Sequence, residues 1–480
     1  MDTHSGETAR RRWRGAALCA ALLLPLGIAC AATRDAANRT GEASDAVAFI
    51  GVHVVPMTEE GAVLPDRTVL VRNGRIAAIG PKGEVEIPAG ALTIDGAGRY
   101  LLPGLADLHV HLEYFENPDI LALFLANGVT TVRNMDGRPG ILEWRNRIAA
   151  GDLLGPTIVT AGPILDGDPP LLDDNTVVRT AAEAASAVAG QADAGYDFVK
   201  VYTNLSAEAY EAVLAAAKER GLPVAGHIPR TMDLERVLAS GQTSLEHLDG
   251  YDDAIEADDS PVRNRWHWSK LYMAMPADPE KIRQAAQRTA ASGVWNVPTL
   301  VVKDKVAPLD EMVRWLDLPE MRYLPQARAA WDPRTWDPQR ARLINNFDAE
   351  DRETLVRGRG NRLALVRALH QAGAGLLVGT DTPNPFVFPG FAIHEELRAF
   401  VDAGLTSAEA LAAATREPAR FLGTSDFGTV EPGKRADLLL LEANPLEDVG
   451  NLARRTGVMV RGRWLPEAEL QGMLERLATP

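Results

Sequence analysis

Asp107-Leu108-His109-Val110-His111 closes an apolar run with two histidines two residues apart. In a β-strand such residues share a face, so both imidazoles enter one space. Paired imidazoles suit a divalent cation such as zinc. A bare His-x-His arises by chance, but the preceding LLPGLAD text strengthens the reading. A second candidate is Lys200, in Tyr196-Asp197-Phe198-Val199-Lys200-Val201-Tyr202. Alternation puts Phe198, Lys200 and Tyr202 on one face. A lysine there either snorkels to a rim or is desolvated, which lowers its pKa. A neutral amine reacts with carbon dioxide, and the carbamate formed would be an anionic bridge between two metal ions. Gly226-His227 and Glu246-His247 end two further runs, and Val378-Gly379-Thr380-Asp381 ends another with a carboxylate. That carboxylate could bind metal and also take a proton from water. A lone histidine is more often structural than a ligand; these gain weight from standing at strand ends in register with the first pair.

The elements that must position these six residues are strands. Candidates are 101–109, 129–134, 157–161, 196–202, 222–227, 243–247, 295–302 and 375–380, separated by alanine-rich helical stretches. Eight strands with helices between them are the arithmetic of an α/β chain folded as a (β/α)₈ TIM barrel, over 99–426. Such a barrel keeps its active site at the carboxyl ends of its strands, where all six residues fall. The Trp-, Pro- and Arg-rich stretch 250–345 reads as an insertion over the barrel mouth. Segments 46–98 and 427–480 have β character, with Asn73-Gly74 a strong hairpin signal. Together they suggest a small β-sandwich built from both chain ends.

The chain has 480 residues, with 65 acidic against 50 basic side chains and a net charge of -15. Such a surface repels phosphate backbones and argues against nucleic acid as a partner. The two cysteines, Cys19 and Cys30, exclude a disulfide scaffold and a cysteine-built metal site. Arg10, Arg11, Arg12 and Arg14 precede the uncharged run 15–32, the pattern of a secretory signal. Residues 1–31 are therefore expected to be a signal peptide and 32–45 a tether. Export would leave either a soluble periplasmic protein or a lipoprotein anchored through Cys30. No Gly-x-Ser-x-Gly elbow and no phosphate loop ending in Gly-Lys-Ser/Thr appears, which removes the serine hydrolase and the nucleotide enzyme. His53, His267 and His370 read as structural. His394 is a candidate support for a ligand through its nearness to Asp381 in sequence alone.

The ordered set YLLPGLADLHVHL, DFVKVY, VAGHIPR, SLEHLDGY and LLVGTDTPNP, closed by GTVEPGKRADLLLLEANPLED, resembles the metal-dependent amidohydrolase superfamily over about 47–465. The resemblance implies one ion held by His109, His111 and Asp381 and a second by His227 and His247, with carboxylated Lys200 bridging them. It points to the binuclear branch with Xaa-Pro dipeptidase-like and imidazolonepropionase-like members. Gly226-His227-Ile228-Pro229 departs from the His-Ala-His frequent in the dipeptidase-like group. The implied cofactors are two divalent ions, zinc first among them. The implied reaction is attack of a metal-bound hydroxide on the amide of a dipeptide or N-acyl amino acid, with Asp381 moving the proton and Tyr202 donating to the oxyanion. Arg230 is the nearest guanidinium for a substrate carboxylate, with Tyr202 beside it, and Trp266, Trp268 and Trp295 could wall the acyl side. Rival readings are a cyclic amide, lactone or phosphotriester hydrolase, or a metal-binding protein without catalysis. A homo-oligomer is compatible with the sequence.

Overall fold

The computed structural model describes residues 46–263, 267–307, 309–336 and 349–478. The expected signal peptide, the tether, Cys30 and Trp266 lie outside the described residues.

Alternating apolar residues at both chain ends build one sheet. Its strands are β1 (Ala46–Val54), β2 (Leu64–Arg72), β3 (Arg75–Pro81), β4 (Leu92–Asp95) and β5 (Tyr100–Pro103), with β15 (Leu438–Leu441), β16 (Arg455–Val460) and β17 (Arg463–Pro466) from the other end. The hydrogen-bonded order is β17-β16-β15-β5-β1-β2-β3, with β4 parallel to β1. The β2–β3 hairpin turns at Asn73 and Gly74, both with positive φ (52° and 73°), as a tight two-residue connection of this kind requires. Phe49, Val69, Leu101, Leu438, Leu440 and Met459 pack on one face. The expected two-layer sandwich is thus, in its hydrogen bonding, a single eight-stranded sheet, because β15 pairs directly with β5 and joins the two ends edge to edge.

β5 runs into the interior through Gly104. A Cβ there would meet the Thr130 side chain at 2.2 Å, so only glycine lets the two strands approach. Beyond it lies a TIM-barrel-like α/β domain of short, mostly buried parallel strands. β6 (Leu105–Val110), β7 (Val129–Asn134) and β8 (Thr157–Thr160) form one sheet. β9 (Leu165–Asp166), β10 (Thr176–Val177), β11 (Val199–Val201), β12 (Val224–Gly226), β13 (Ser244–Glu246) and β14 (Trp295–Val297) form another. Single parallel bridges link Ala161 to Phe198, Asn296 to Leu376 and Val110 to Thr382. Amphipathic helices such as Ala181–Ala194 and Ala207–Glu219 follow the strands. The first starts at a capping box in which Thr180 and Glu183 satisfy each other's backbone N–H groups.

Three expectations need correction. The run 375–380 is not a strand but an extended segment held by bridges, since its polar side chains and backbone bond to several neighbours instead of one ladder. The strand expected over 295–302 stops at Val297. Thr299 turns with φ 45° into the helix Leu300–Asp304, whose first N–H groups, of Leu300 and Val301, donate to the buried Glu396 carboxylate at 2.9 and 2.8 Å. The stretch 250–345 is not one insertion, because it contains β14 and the helix Pro279–Ser292 that leads to it. It is two excursions, one after β13 and one after β14.

Candidate metal centre

Asp107 sets the register of the site. Buried on β6, it accepts hydrogen bonds from Thr380 N (2.9 Å) and Thr380 Oγ1 (2.7 Å) and so clamps β6 to the segment carrying Asp381. Burial pushes its carboxyl up to about 7. The Asp381 N–H donates to His109 O (2.7 Å) and the His111 N–H to Thr382 O (2.8 Å). Asp381 and His247 both have positive φ (57° and 62°), a conformation costly for side chains other than glycine and concentrated at functional sites.

The four expected histidines share one feature: each turns Nδ1 to an oxygen. His109 Nδ1 meets Glu246 Oε2 at 2.7 Å, and His111 Nδ1 meets Glu113 Oε1 at 2.6 Å. His227 Nδ1 meets Asp249 Oδ2 at 2.7 Å, and His247 Nδ1 meets Thr299 Oγ1 at 2.7 Å. Each ring therefore keeps Nε2 for another ligand, as an imidazole that binds metal does when a neighbour fixes its tautomer. The rings converge: centroids lie 5.4 Å apart for His109 and His111, 4.6 Å for His109 and His247, and 4.7 Å for His227 and His247. Asp381 Oδ1 faces His109 Nε2 at 3.3 Å and His111 Nε2 at 3.2 Å, while Oδ2 lies 3.8 Å from His247 Nδ1. The His109 contact lacks hydrogen-bond geometry, so its Nε2 is a buried polar atom without a partner.

Lys200 Nζ is another such atom. It is fully buried, and burial brings its pKa down to about 8, although the Glu246 and Asp381 carboxylates oppose that shift. Burial also disfavours charge on His247 and His227. At His111 burial is outweighed by Glu113 and Asp381, which push it up to about 10. Burial alone would raise Asp381, but the His247 and His109 imidazoles hold it well below the usual carboxylate range. Orphaned buried nitrogens, converging imidazoles and an ionised carboxylate are what a divalent cation satisfies. Among the described residues, His109, His247 and Asp381 place their ligand atoms within 4.8 Å of one another, a trio that crosses the two expected ligand sets.

Tyr202 stands at the edge of this group, its ring 4.3 Å from that of His227, and burial raises its phenol far above the ordinary value. Arg230 is exposed, with its backbone N–H on Thr203 O (2.9 Å). His394 is outside the group: its polar neighbours are Asn127, Arg398 and Arg455. Sequence reasoning missed the residues that aim the histidines: Glu246, Glu113, Asp249 and Thr299. It also missed Arg133, which donates to Glu246 Oε1 at 2.9 Å and to Leu108 O at 2.6 Å from a fully buried position. Its place in a strand expected inside the barrel, Val129–Asn134, was the available signal, since a buried guanidinium demands a counter-charge.

Residues 100–465 match the amidohydrolase family. The chain belongs to that family. A putative prolidase from Bifidobacterium longum is similar in structure, at 26% identity and TM-score 0.64 over 91% of this chain and 100% of that one. An adenine deaminase of Chelativorans sp. (strain BNC1) is 31% identical over 252 residues, 48% of this chain and 41% of the enzyme. An imidazolonepropionase of Deinococcus deserti is 43% identical over 84 residues, 17% of this chain and 21% of the enzyme. The chain thus spans less than half the length of these curated relatives. Both kinds of member expected of the binuclear branch, prolidase and imidazolonepropionase, recur among the proteins similar to this chain.

Proposed function

We propose that this chain hydrolyses an amide bond of a small substrate, a dipeptide or an N-acyl amino acid, at a centre of two divalent ions. The observation that carries the reading is the common orientation of the four imidazoles, each with Nδ1 held by oxygen, around Asp381 and the unpartnered Lys200 amine. His109, His111 and Asp381 would hold one ion and His227 and His247 the other. Lys200 would join them as a carbamate, formed when the neutral amine adds carbon dioxide and releases one proton. Zinc fits the nitrogen and oxygen donors. Bound ions supply Lewis acidity and bring the pKa of a coordinated water towards 7. Asp381 accepts the proton of the attacking water and passes it to the leaving nitrogen. Tyr202, kept neutral by burial, donates to the developing oxyanion. The three bridges that link the two parallel sheets and the 375–382 segment support a closed (β/α)₈ ring around this centre.

The peptide reading is preferred to adenine deamination because the structural likeness to a prolidase runs through 91% of this chain, whereas the sequence likeness to adenine deaminases runs through 48% to 58%. Export follows from the arginine run and apolar stretch at 10–32. The test is a screen of zinc-loaded protein with dipeptides, N-acyl amino acids, lactones and adenine. Release of free amino acid from an amide supports the reading; ammonia from adenine, or lactone opening, faster than any amide cleavage overturns it.

A further inference from the structure

Beside the metal centre lies a cavity of about 270 Å³. Leu271, Val302, Met312, Trp336 and Pro385 give it largely apolar walls, and Lys303 enters them. The cavity adjoins the centre through two tethers. Asn384, which also lines it, donates from Nδ2 to Asp381 O at 2.6 Å. Lys303 sits in the helix that begins just after Thr299, the residue that holds His247. The neighbouring cations are all paired. Arg362 donates to Asp304 (2.7 Å) and Tyr272 O (2.6 Å), Lys305 to Glu395 (2.5 Å), and Lys270 to Glu256 (2.8 Å). Lys303 differs: among the described residues its ammonium has no ion pair or hydrogen bond, and it stands 6.0 Å from the Tyr272 ring centre. Burial lowers its pKa, while Asp249 and Asp381 act against that. A half-buried ammonium in an apolar cavity is costly unless an anion joins it.

We propose that Lys303 anchors the free carboxylate of the substrate, with the apolar part of that same amino acid filling the cavity. This rests on the amide-hydrolase reading for what the anion is, and it moves the carboxylate contact inward from Arg230. An ammonium with an apolar surround selects an organic monocarboxylate over a neutral molecule of equal shape. The cavity's link to Asp381 sets the rest of the substrate against the metal ligands.

The test uses ligands without an amide bond, so it is separate from hydrolysis. Calorimetry of zinc-loaded full chain should show 3-phenylpropanoate binding at least about tenfold tighter than its neutral analogue 4-phenyl-2-butanone. In Lys303→Met this preference should fall to about twofold or less with metal content unchanged, while Lys303→Arg and Arg230→Met keep it. A Lys303→Met protein that retains the preference places the carboxylate on the metals or on Arg230 and overturns the proposal, as does wild-type protein that binds both probes equally or neither. Protein that passes this test yet cleaves no amide would keep the anchor and remove the hydrolase reading.

Discussion

The two halves of the candidate metal centre are built differently. On the β6 half, His109 and His111 each lean on a glutamate, and Glu246 is itself neutralised by the buried Arg133. On the β12–β13 half, His227 leans on Asp249 and His247 on the hydroxyl of Thr299. Burial would raise Glu246, yet Arg133 and His109 keep it well below the usual range, so the first half holds a fixed charge that solvent does not reach. A carboxylate that accepts an imidazole N–H makes the ring a stronger donor than a hydroxyl does. With two carboxylate-held imidazoles against one, the β6 half would, on the two-ion proposal, hold its ion more tightly as well as brace the fold, while the other half, next to the Lys303 cavity, would face the substrate.

Breaking the brace of the first half should have the largest effect. Glu246→Ala leaves Arg133 buried without its counter-charge and should cost about 3–5 kcal/mol of stability by denaturant titration. A loss near zero would show that Arg133 finds another partner and that the halves do not differ in this way. Asp381 faces both halves, so Asp381→Asn should lower kcat by about 10²-fold or more while sparing substrate binding. Normal turnover there would assign the proton transfer elsewhere. Asp249→Asn should weaken only the second ion, by about 10- to 100-fold in affinity, with little change in stability. Thr299→Val should have a smaller effect in the same direction. If both variants instead strip both ions together, followed by stepwise chelation, the contrast between the halves is wrong.

How much of this was legible depended on whether a residue acts alone or through a neighbour. The candidate ligands were singled out because each stands at the end of an apolar run, and the run's period gives the side chain its direction. The Asn73-Gly74 hairpin was readable for a similar reason, since few residue pairs accept positive φ twice. The second layer was not. Alternation along β13 would send Glu246 and His247 to opposite faces, but the φ of 62° at His247 breaks the alternation, and both end up against His109. Thr299 looked like one more residue of a strand until Glu396, nearly a hundred positions on, captured the helix start that follows it. Lys303 had no signal at all in sequence, because its meaning lies in the lack of an ion pair or hydrogen bond to its ammonium among the described residues, which only the fold reveals.

The most direct measurement is the metal content of the chain at saturation, taken by elemental analysis after loading with zinc and bicarbonate, beside Lys200→Ala treated in the same way. The account predicts two divalent ions in the native chain and the loss of at least one in the variant, which lacks the amine that would carry the bridging carbamate. One ion at saturation in the native chain, or a fully loaded variant, would contradict it.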